Sequence, residues 1–205
     1  METVSVPVLD CGIARLIRPG EGESGDHHLV CCGDKNVLIA AMDGIGHGSE
    51  AAAASRTAAS ILHAQMDEPI ISLVRHCHEG LRRTRGVVLS LASIDPFHRM
   101  MTWLGVGNVQ GLLMRAGAKK GIVQEALLLR GGVVGSQLPP LQATVLPISA
   151  GDTLIFFTDG VKDSFIDTLS PLEGPQRAAD RILNAYHHGN DDALVVMARY
   201  TGANQ

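Results

Sequence analysis

The sequence predicts an α+β fold in which two stacked antiparallel β-sheets are flanked by helices. Apolar runs typical of strands come first, two helical segments follow, and many short strands then precede one more helix and a closing strand. This order lacks the regular β-α-β alternation of a parallel sheet. About nine strands in a single sheet would curl or split, which favours two stacked sheets.

Composition bounds the class of protein. The chain has 205 residues, is 45% hydrophobic and carries a net charge of −4, which fits one domain, residues 1–205, with a sizeable core. It offers no basic stripe for nucleic acid, and no apolar run approaches the roughly 18 residues of a membrane span. The N-terminus lacks a signal-peptide pattern, and the four cysteines suggest no disulfide framework. We therefore expect a cytoplasmic protein with neither nucleic acid nor membrane as partner.

The first half is expected to contain strands, a hairpin and two helices. Residues 3–17 have the pattern of an edge or hairpin strand, and residues 27–42 that of a β-hairpin around the turn GDK. The alanine-rich segment GSEAAAASRTAASILHAQM predicts a helix with Ser49 as N-cap, ending before Pro69. A second helix is expected over Ile70–Thr84 because its apolar residues follow an approximate stripe.

Strand patterns dominate the second half. Turn-like separators divide six segments, which read VVLSLASID, RMMTWLGVG, VQGLLMRA, IVQEALLL, ATVLPIS and TLIFFTD. The segment RGGVVGSQLPP between two of them is either a mobile element near a site or an ordinary connector. A helix is expected in GPQRAADRILNAYHH, with Pro175 in its first turn, and ALVVMARY closes the chain as a strand.

Four carboxylates are expected at strand ends or turns. They are Asp26 in SGD, Asp43 in MDG, Asp159 in TDG and Asp191 in NDD. Any one alone could be a turn residue, since Asp-Gly is a favoured turn dipeptide. However, LIAAM and LIFFT, which precede two of them, are apolar on both faces as inner strands are. Neighbouring strand ends in a sandwich would therefore bring these acids together.

Converging carboxylates indicate a metal site. They repel one another and stay ionised only around a cation, and hard oxygen ligands select Mg²⁺ or Mn²⁺. A glycine follows Asp43 and another follows Asp159, and each leaves room for close backbone approach. A site with open, water-filled positions around two ions suits the hydrolysis of a phosphate ester.

The ordered motifs SGD, MDGIGHG, FTDGVKD and DDALVV also carry a family resemblance. From Ser24 to Arg199 the chain resembles the metal-dependent protein serine/threonine phosphatases of the PPM type, in their SpoIIE-like branch. The fold of that family is the double-sheet sandwich already predicted. The resemblance implies two Mn²⁺ or Mg²⁺ ions held by Asp26, Asp43, the Gly44 carbonyl, Asp159 and Asp191.

The resemblance also implies roles within this set. Asp43 would bridge the two ions, and Asp43 and Asp159 would act in catalysis through a metal-activated water. Asp192 is the alternative to Asp191 as the last ligand. His47, at the start of the first helix, is a candidate acid toward the leaving seryl oxygen, although packing or capping there is an equal alternative.

Two departures from the family pattern concern a third metal and a phosphate clamp. Many relatives have an Asp in a Gly-Asp-Ser turn, where this chain has Asn108. Asp163 matches the second acid of that weaker third metal site. Arg15 and Arg18 precede SGD, but neither matches the arginine that clamps the substrate phosphate in eukaryotic relatives.

The sequence therefore predicts a metal-dependent phosphoprotein phosphatase. Its length and the missing accessory domain resemble the stand-alone members of the branch that act on phosphorylated Ser or Thr of STAS-domain stressosome proteins. Two alternatives stay open: a phosphatase of anti-sigma-factor antagonists, and a non-catalytic binding module of the same fold. A nucleotide loop in DGIGHG is disfavoured because Ser49 occupies the third glycine position of the dinucleotide fingerprint.

Overall fold

The computed structural model describes residues 5–6, 8–117 and 125–202, and the described residues form a four-layer sandwich. The helices are α1 (Gly48–Ala64), α2 (Ile70–Leu81) and α3 (Pro175–Tyr186), with a 3₁₀ helix over Asp163–Thr168. The strands are β1 (Ser5–Val6), β2 (Leu9–Leu16), β3 (Asp26–Cys32), β4 (Val37–Gly44), β5 (Val87–Asp95), β6 (Met100–Val106), β7 (Gln110–Met114), β8 (Glu125–Ala126), β9 (Leu129–Arg130), β10 (Thr144–Pro147), β11 (Thr153–Phe157) and β12 (Ala193–Tyr200).

Two stacked sheets form the centre, as predicted. The first sheet has the order β1-β2-β12-β11-β7-β8, and the second has the order β10-β6-β5-β4-β3. All these neighbours pair antiparallel. The short strand β9 adds one parallel pair with β6, which the sequence did not predict. The α+β class with two sheets flanked by helices is confirmed.

Three apolar clusters hold the layers together. The central cluster lies between the sheets and includes the buried side chains of Trp103, Phe156 and Tyr200. α1 and α2 cover the outer face of the second sheet, and α3 covers the outer face of the first. Alternate residues of the inner strands thus face the central core or a helix layer, which is why the runs LIAAM and LIFFT are apolar throughout.

The first helix begins earlier than predicted. α1 begins at Gly48 with His47 as its N-cap residue, and no side-chain cap hydrogen bond is made. The prediction of Ser49 as N-cap is therefore wrong. The turn out of β4 uses positive φ angles at Gly46 (97°) and Gly48 (72°), which bring the chain into the helix before Ser49.

The second helix ends earlier than predicted. α2 ends at Leu81 rather than at Thr84. Both the N–H and the hydroxyl group of Thr84 donate to the Leu81 carbonyl, at 2.8 Å each. These bonds close a turn instead of continuing the helix, as threonine side chains often do near helix ends.

The segment IVQEALLL, predicted as one strand, begins outside the described residues. Its described part, from Glu125 onward, contributes to two short strands that join different sheets. The chain crosses between the sheets at this point, and alternation in the sequence does not reveal such a crossing. The 3₁₀ helix after β11 was not predicted either.

Candidate metal centre

The second sheet places two of the predicted acids side by side. Asp26 begins β3, Asp43 lies near the end of β4, and the two are directly opposed in the antiparallel register. Ile39 and Ala41, which precede Asp43 at two-residue spacing, belong to the central core. Because strand side chains alternate, Asp43 is on the face that looks toward the first sheet.

The first sheet brings its acids to the same end of the sandwich. Asp159 follows β11 by two residues, and Asp191 precedes β12 by two residues. The two strands pair up to Phe157 and Val195, so the acids emerge from adjacent strand ends. The side chains of Asp159 and Asp191 are both exposed.

Hydrogen bonds tie the two sheets together at this end. The Thr158 hydroxyl, next to Asp159, donates to Asp26 Oδ2 at 2.7 Å and accepts from the Leu194 backbone N–H at 2.9 Å. The Gly25 N–H donates to Asp192 Oδ2 at 2.8 Å. Since Asp26 is only 2% exposed, these bonds satisfy groups that water cannot reach.

Gly25 also links this end to α1. Its carbonyl accepts a hydrogen bond from the Gly44 N–H at 3.1 Å and another from the Ser55 hydroxyl at 2.5 Å. The Ser55 side chain is fully buried. The SGD loop is therefore held by both sheets and by a helix, which fixes the position of Asp26.

Asp191 and Asp192, the two candidates for the last ligand, have different surroundings. Asp192 is 6% exposed, and its two oxygens accept from the N–H groups of Arg18 and Gly25, at 2.8 Å each. Asp191 is exposed and accepts only from the adjacent Asp192 N–H, at 3.0 Å, among the described residues. The Asp192 carboxylate thus fastens the loop before β3, while Asp191 retains oxygens for another partner.

The acids affect one another electrostatically. Burial, followed by the charges of Asp159, Asp191 and Asp192, raises the pKa of Asp43 to about 7. Burial and the neighbouring Asp43 charge, with smaller effects of Asp192 and Asp159, raise the pKa of Asp26 well above its ordinary value, although the Thr158 hydrogen bond opposes this. The carboxylates therefore lie close enough to disfavour full ionisation of the cluster.

The donor set fits a hard divalent cation. Within residues 8–117 and 125–202, no group of three His, Cys, Asp or Glu side chains is arranged as a ready-made metal cage. Mutual repulsion of carboxylates keeps their oxygens apart, whereas a cation between them draws them together. Carboxylates near a backbone carbonyl suit Mg²⁺ or Mn²⁺ better than zinc, which favours sulfur and nitrogen.

The glycines of the two Asp-Gly motifs are required by backbone packing. A Cβ atom on Gly44 would lie 2.1 Å from the Ala51 carbonyl oxygen, and one on Gly160 would lie 1.8 Å from the Asp192 carbonyl oxygen. The close approach expected after each Asp is thus made by the backbone of α1 in one case and by the segment before β12 in the other.

Three further residues considered in the sequence have distinct positions. His47 is exposed, and its Nδ1 lies 2.7 Å from Glu21 Oε1. The Asn108 amide donates to Asp159 Oδ2 at 2.8 Å, so this residue binds a cluster acid directly. Asp163 is exposed at the start of the 3₁₀ helix and is not among the charges that shift the pKa of Asp26 or Asp43.

Sequence reasoning missed the polar side chains that support the acids. Thr158, Ser55 and Glu21 had no assigned role. A signal existed for Thr158, because it is the first polar residue after the apolar run LIFF and is fully buried. No pattern indicated Ser55, since a serine in an alanine-rich helix is an ordinary surface residue until the fold brings a carbonyl to it.

A comparison with known families matches residues 33–201 to the family of stage II sporulation protein E. The chain belongs to the SpoIIE family. The predicted membership of the PPM-type phosphatases, in their SpoIIE-like branch, is thereby confirmed. No helix within the described ranges is long and apolar enough to cross a membrane.

Individual relatives agree with the family. The chain is 28% identical over 101 residues to the phosphoserine phosphatase RsbX of Bacillus subtilis strain 168, covering 49% of this chain and 51% of the relative. The match thus spans about half the length of that curated protein. RsbX is a phosphoserine phosphatase, the class of enzyme that the sequence resemblance predicts.

Solved structures share the fold of this SpoIIE-family chain. One such structure comes from work on the bacterial stressosome, described as a modular system adapted to control secondary messenger signalling. It is 28% identical to this chain, has a TM-score of 0.83, and the match covers 93% of this chain and 99% of that one. RsbX in complex with magnesium gives a TM-score of 0.83 at 20% identity, covering 97% and 98%. The phosphatase domain of SpoIIE from Bacillus subtilis gives 0.77 at 20% identity, covering 96% and 64%.

Proposed function

We propose that this SpoIIE-family chain is a cytoplasmic, metal-dependent phosphatase that removes phosphate from serine or threonine of a protein partner. The observation that carries the proposal is the convergence of carboxylates from both sheets at one end of the sandwich. There, burial and then the charges of Asp159, Asp191 and Asp192 raise the pKa of Asp43 to about 7. A cluster of like charges with a strongly shifted carboxyl pKa is typical of functional sites.

Two cations would be held by Asp43, Asp26 and the Gly44 carbonyl on one side, and by Asp43, Asp159 and Asp191 on the other. When bound, they supply the Lewis acidity and the lowered water pKa on which phosphomonoester hydrolysis depends. The protein's own part is to hold these oxygens in place.

Supporting side chains orient the acids. The Thr158 hydroxyl donates to Asp26 and the Asn108 amide donates to Asp159, which leaves the second oxygen of each carboxylate for another partner. His47 is proposed to deliver a proton to the leaving seryl oxygen. Glu21 accepts from its Nδ1, which leaves Nε2 as the atom that transfers the proton.

The partner is proposed to be a phosphorylated STAS-domain protein of a stressosome. The support is the likeness to RsbX, a phosphoserine phosphatase, and to the structure from work on the stressosome. The chemistry of the site requires only a phosphoserine or phosphothreonine on an accessible segment, so the choice of partner depends on surfaces around the acids.

The test is hydrolysis of an aryl phosphate and of a phosphorylated STAS domain, with and without Mn²⁺. Asp43→Asn is expected to lower turnover at least about a hundredfold, since a metal ion supplies several kcal/mol of transition-state stabilisation and each 1.4 kcal/mol, roughly, is tenfold in rate. Asp167→Asn, an exposed acid in the 3₁₀ helix, is the matched control and should retain activity. A folded wild-type protein without Mn²⁺-dependent turnover would instead favour the non-catalytic binding module.

A further inference from the structure

A small cavity with two arginines opens beside Asp26. It has a volume of about 210 Å³, and its lining includes Arg15, Ile17, Glu23, Ser24, Asp26 and Arg56. Small-molecule sites are commonly about 300–1,000 Å³. The cavity is therefore of a size for one side chain of a protein ligand rather than for a whole cofactor.

The fold places the two arginines on either side of the SGD loop. Arg15 lies near the end of β2, opposite Leu194 at the start of β12. Arg56 lies on α1, one residue after Ser55, whose hydroxyl donates to the Gly25 carbonyl. The cavity thus adjoins the acid cluster but has its own walls, built from β2 and α1.

Both guanidinium groups can accept a new anionic partner. Arg56 pairs with Glu23 at 2.9 Å, but about half of each side chain is exposed, 52% and 49%, and such surface pairs contribute little. The Arg15 guanidinium makes no hydrogen bond or ion pair with any residue in the described part of the chain. A planar guanidinium presents paired donors that match a carboxylate or a phosphate.

The charge balance favours an anion. Two positive side chains face Glu23 and Asp26. Under the proposed function Asp26 is committed to a cation, so the remaining charges of the cavity sum to a net positive value. An exposed Ile17, 41% accessible, adds an apolar rim against which a peptide could pack.

We propose that this cavity is a substrate subsite that binds an acidic side chain, Asp or Glu, next to the phosphorylated residue of the protein partner. The inference rests on the proposed function, because the reacting phosphate is taken to lie at the acid cluster. Arg15 and Arg56 bind the carboxylate, and Ile17 contacts the adjoining peptide. The subsite gives the enzyme selectivity among phosphoproteins without affecting hydrolysis itself.

The test compares two phosphoserine peptides that differ only in their flanks, Asp and Glu in one and Asn and Gln in the other. Arg15→Ala and Arg56→Ala are each expected to raise KM for the acidic peptide roughly tenfold, as expected for lost hydrogen bonds to a charged group. KM for the neutral peptide, and kcat/KM for an aryl phosphate, should stay unchanged. Arg15→Lys should retain part of the effect because it keeps the charge.

Arg82→Ala is the matched control. Arg82 also forms an exposed ion pair, with Glu79, but it follows α2 and does not line the cavity. It should leave both peptides unaffected. An equal loss for the aryl phosphate would mean that the arginines bind the reacting phosphoryl group and would overturn the subsite, as would equal KM values for the two peptides on the wild-type protein.

Binding provides a readout that does not need turnover. Both peptides are labelled and made with a non-hydrolysable phosphoserine analogue, and their fluorescence anisotropy is measured in Mn²⁺ on wild-type protein and on Arg15→Ala. Tighter binding of the acidic peptide, lost with Arg15→Ala, supports the subsite even if the phosphatase proposal fails. Equal affinities for the two peptides would overturn it even if the protein proves to be a phosphatase.

Discussion

At the scale of single residues, Asp43 combines burial with like charge. It is directly opposed to Asp26 across the β3–β4 pair. Burial, followed by the charges of Asp159, Asp191 and Asp192, raises its pKa from an ordinary 3.8 to about 7. The charged form is destabilised in the folded protein only, because the unfolded chain separates these groups. Without a cation, ionisation of Asp43 therefore opposes folding.

The sign of this effect predicts a pH dependence. Between the unfolded-state pKa of Asp43 and its higher folded-state pKa, the folded protein binds more protons than the unfolded chain does. The metal-free protein should therefore lose stability as pH rises from about 4 to about 7. Asp43→Asn should be more stable than wild type at pH 8 in EDTA and similar to it near pH 4. Urea unfolding of both proteins across this range measures the difference; a difference independent of pH would contradict the raised pKa.

The adjacent acids Asp191 and Asp192 should respond differently to substitution. Asp192→Asn places an amide NH₂ where two backbone N–H groups need acceptors, and one buried N–H left unpaired costs about 1–3 kcal/mol of unfolding free energy. Asp191→Asn, on an exposed side chain, should change stability by no more than about 0.5 kcal/mol but raise the Mn²⁺ concentration needed for half-maximal activity.

Thermal unfolding and a Mn²⁺ titration of each variant separate the two roles. The assignment would be reversed if Asp192→Asn shifted the titration at unchanged stability while Asp191→Asn left the titration as in the wild type.

At the scale of elements, the close approach of backbone segments shapes the site. Helix α1 contacts β4 at Gly44, where the Ala51 carbonyl leaves no space for a side chain. The start of β12 contacts the turn after β11 in the same way at Gly160. The packing of whole elements therefore fixes the positions of the preceding acids, Asp43 and Asp159. A flexible turn alone would not hold them in place.

Gly44→Ala should therefore displace α1 from β4. We expect a loss of several kcal/mol in unfolding free energy, because the added methyl group would meet backbone rather than a mobile side chain, together with weaker Mn²⁺ binding measured by calorimetry. Gly131→Ala, where nothing lies within 4 Å of the added atom, is the control and should behave as wild type. A stable Gly44→Ala protein with unchanged Mn²⁺ affinity would show that the contact can relax.

At the scale of the whole molecule, the acid cluster lies where the two sheets meet. Thr158 and Asp192, from the first sheet, bond to Asp26 and Gly25, which adjoin the second. A cation shared by carboxylates of both sheets would add a further link and remove the repulsion between them. Metal binding should therefore stabilise the entire sandwich rather than a single loop.

This linkage predicts a thermal shift. At a Mn²⁺ concentration a hundred times the dissociation constant, binding stabilises the folded state by about 2.7 kcal/mol, which corresponds to a rise in Tm of roughly 5–11 °C for a domain of this size. Differential scanning calorimetry with Mn²⁺ and with EDTA measures it. Asp43→Asn should abolish most of the shift, and an equal shift in that variant would place the cation elsewhere.

Much of the fold could be predicted because its signals are local. Runs of residues that are apolar on both faces of a strand indicated the inner strands, and turn residues indicated where those strands end. The acids after LIAAM and LIFFT could therefore be placed at strand ends. The end of α2 at Leu81 and the division of the segment around Leu127 could not be predicted in this way. The helix end depends on the two hydrogen bonds that Thr84 donates to Leu81, and the division of the segment depends on pairing with two different sheets. Neither leaves a periodic pattern in the chain.

The sequence by itself determined which carboxylates end which strands, and with its ordered motifs it determined the family, because strand period and turn chemistry act over a few residues. Only the tertiary structure decided that Asp192 fastens a loop while Asp191 stays accessible, that Gly44 makes room for a helix, and that Arg15 and Arg56 share one cavity. These facts depend on contacts between residues up to 174 positions apart. Such contacts form only when both sheets pack on a common core.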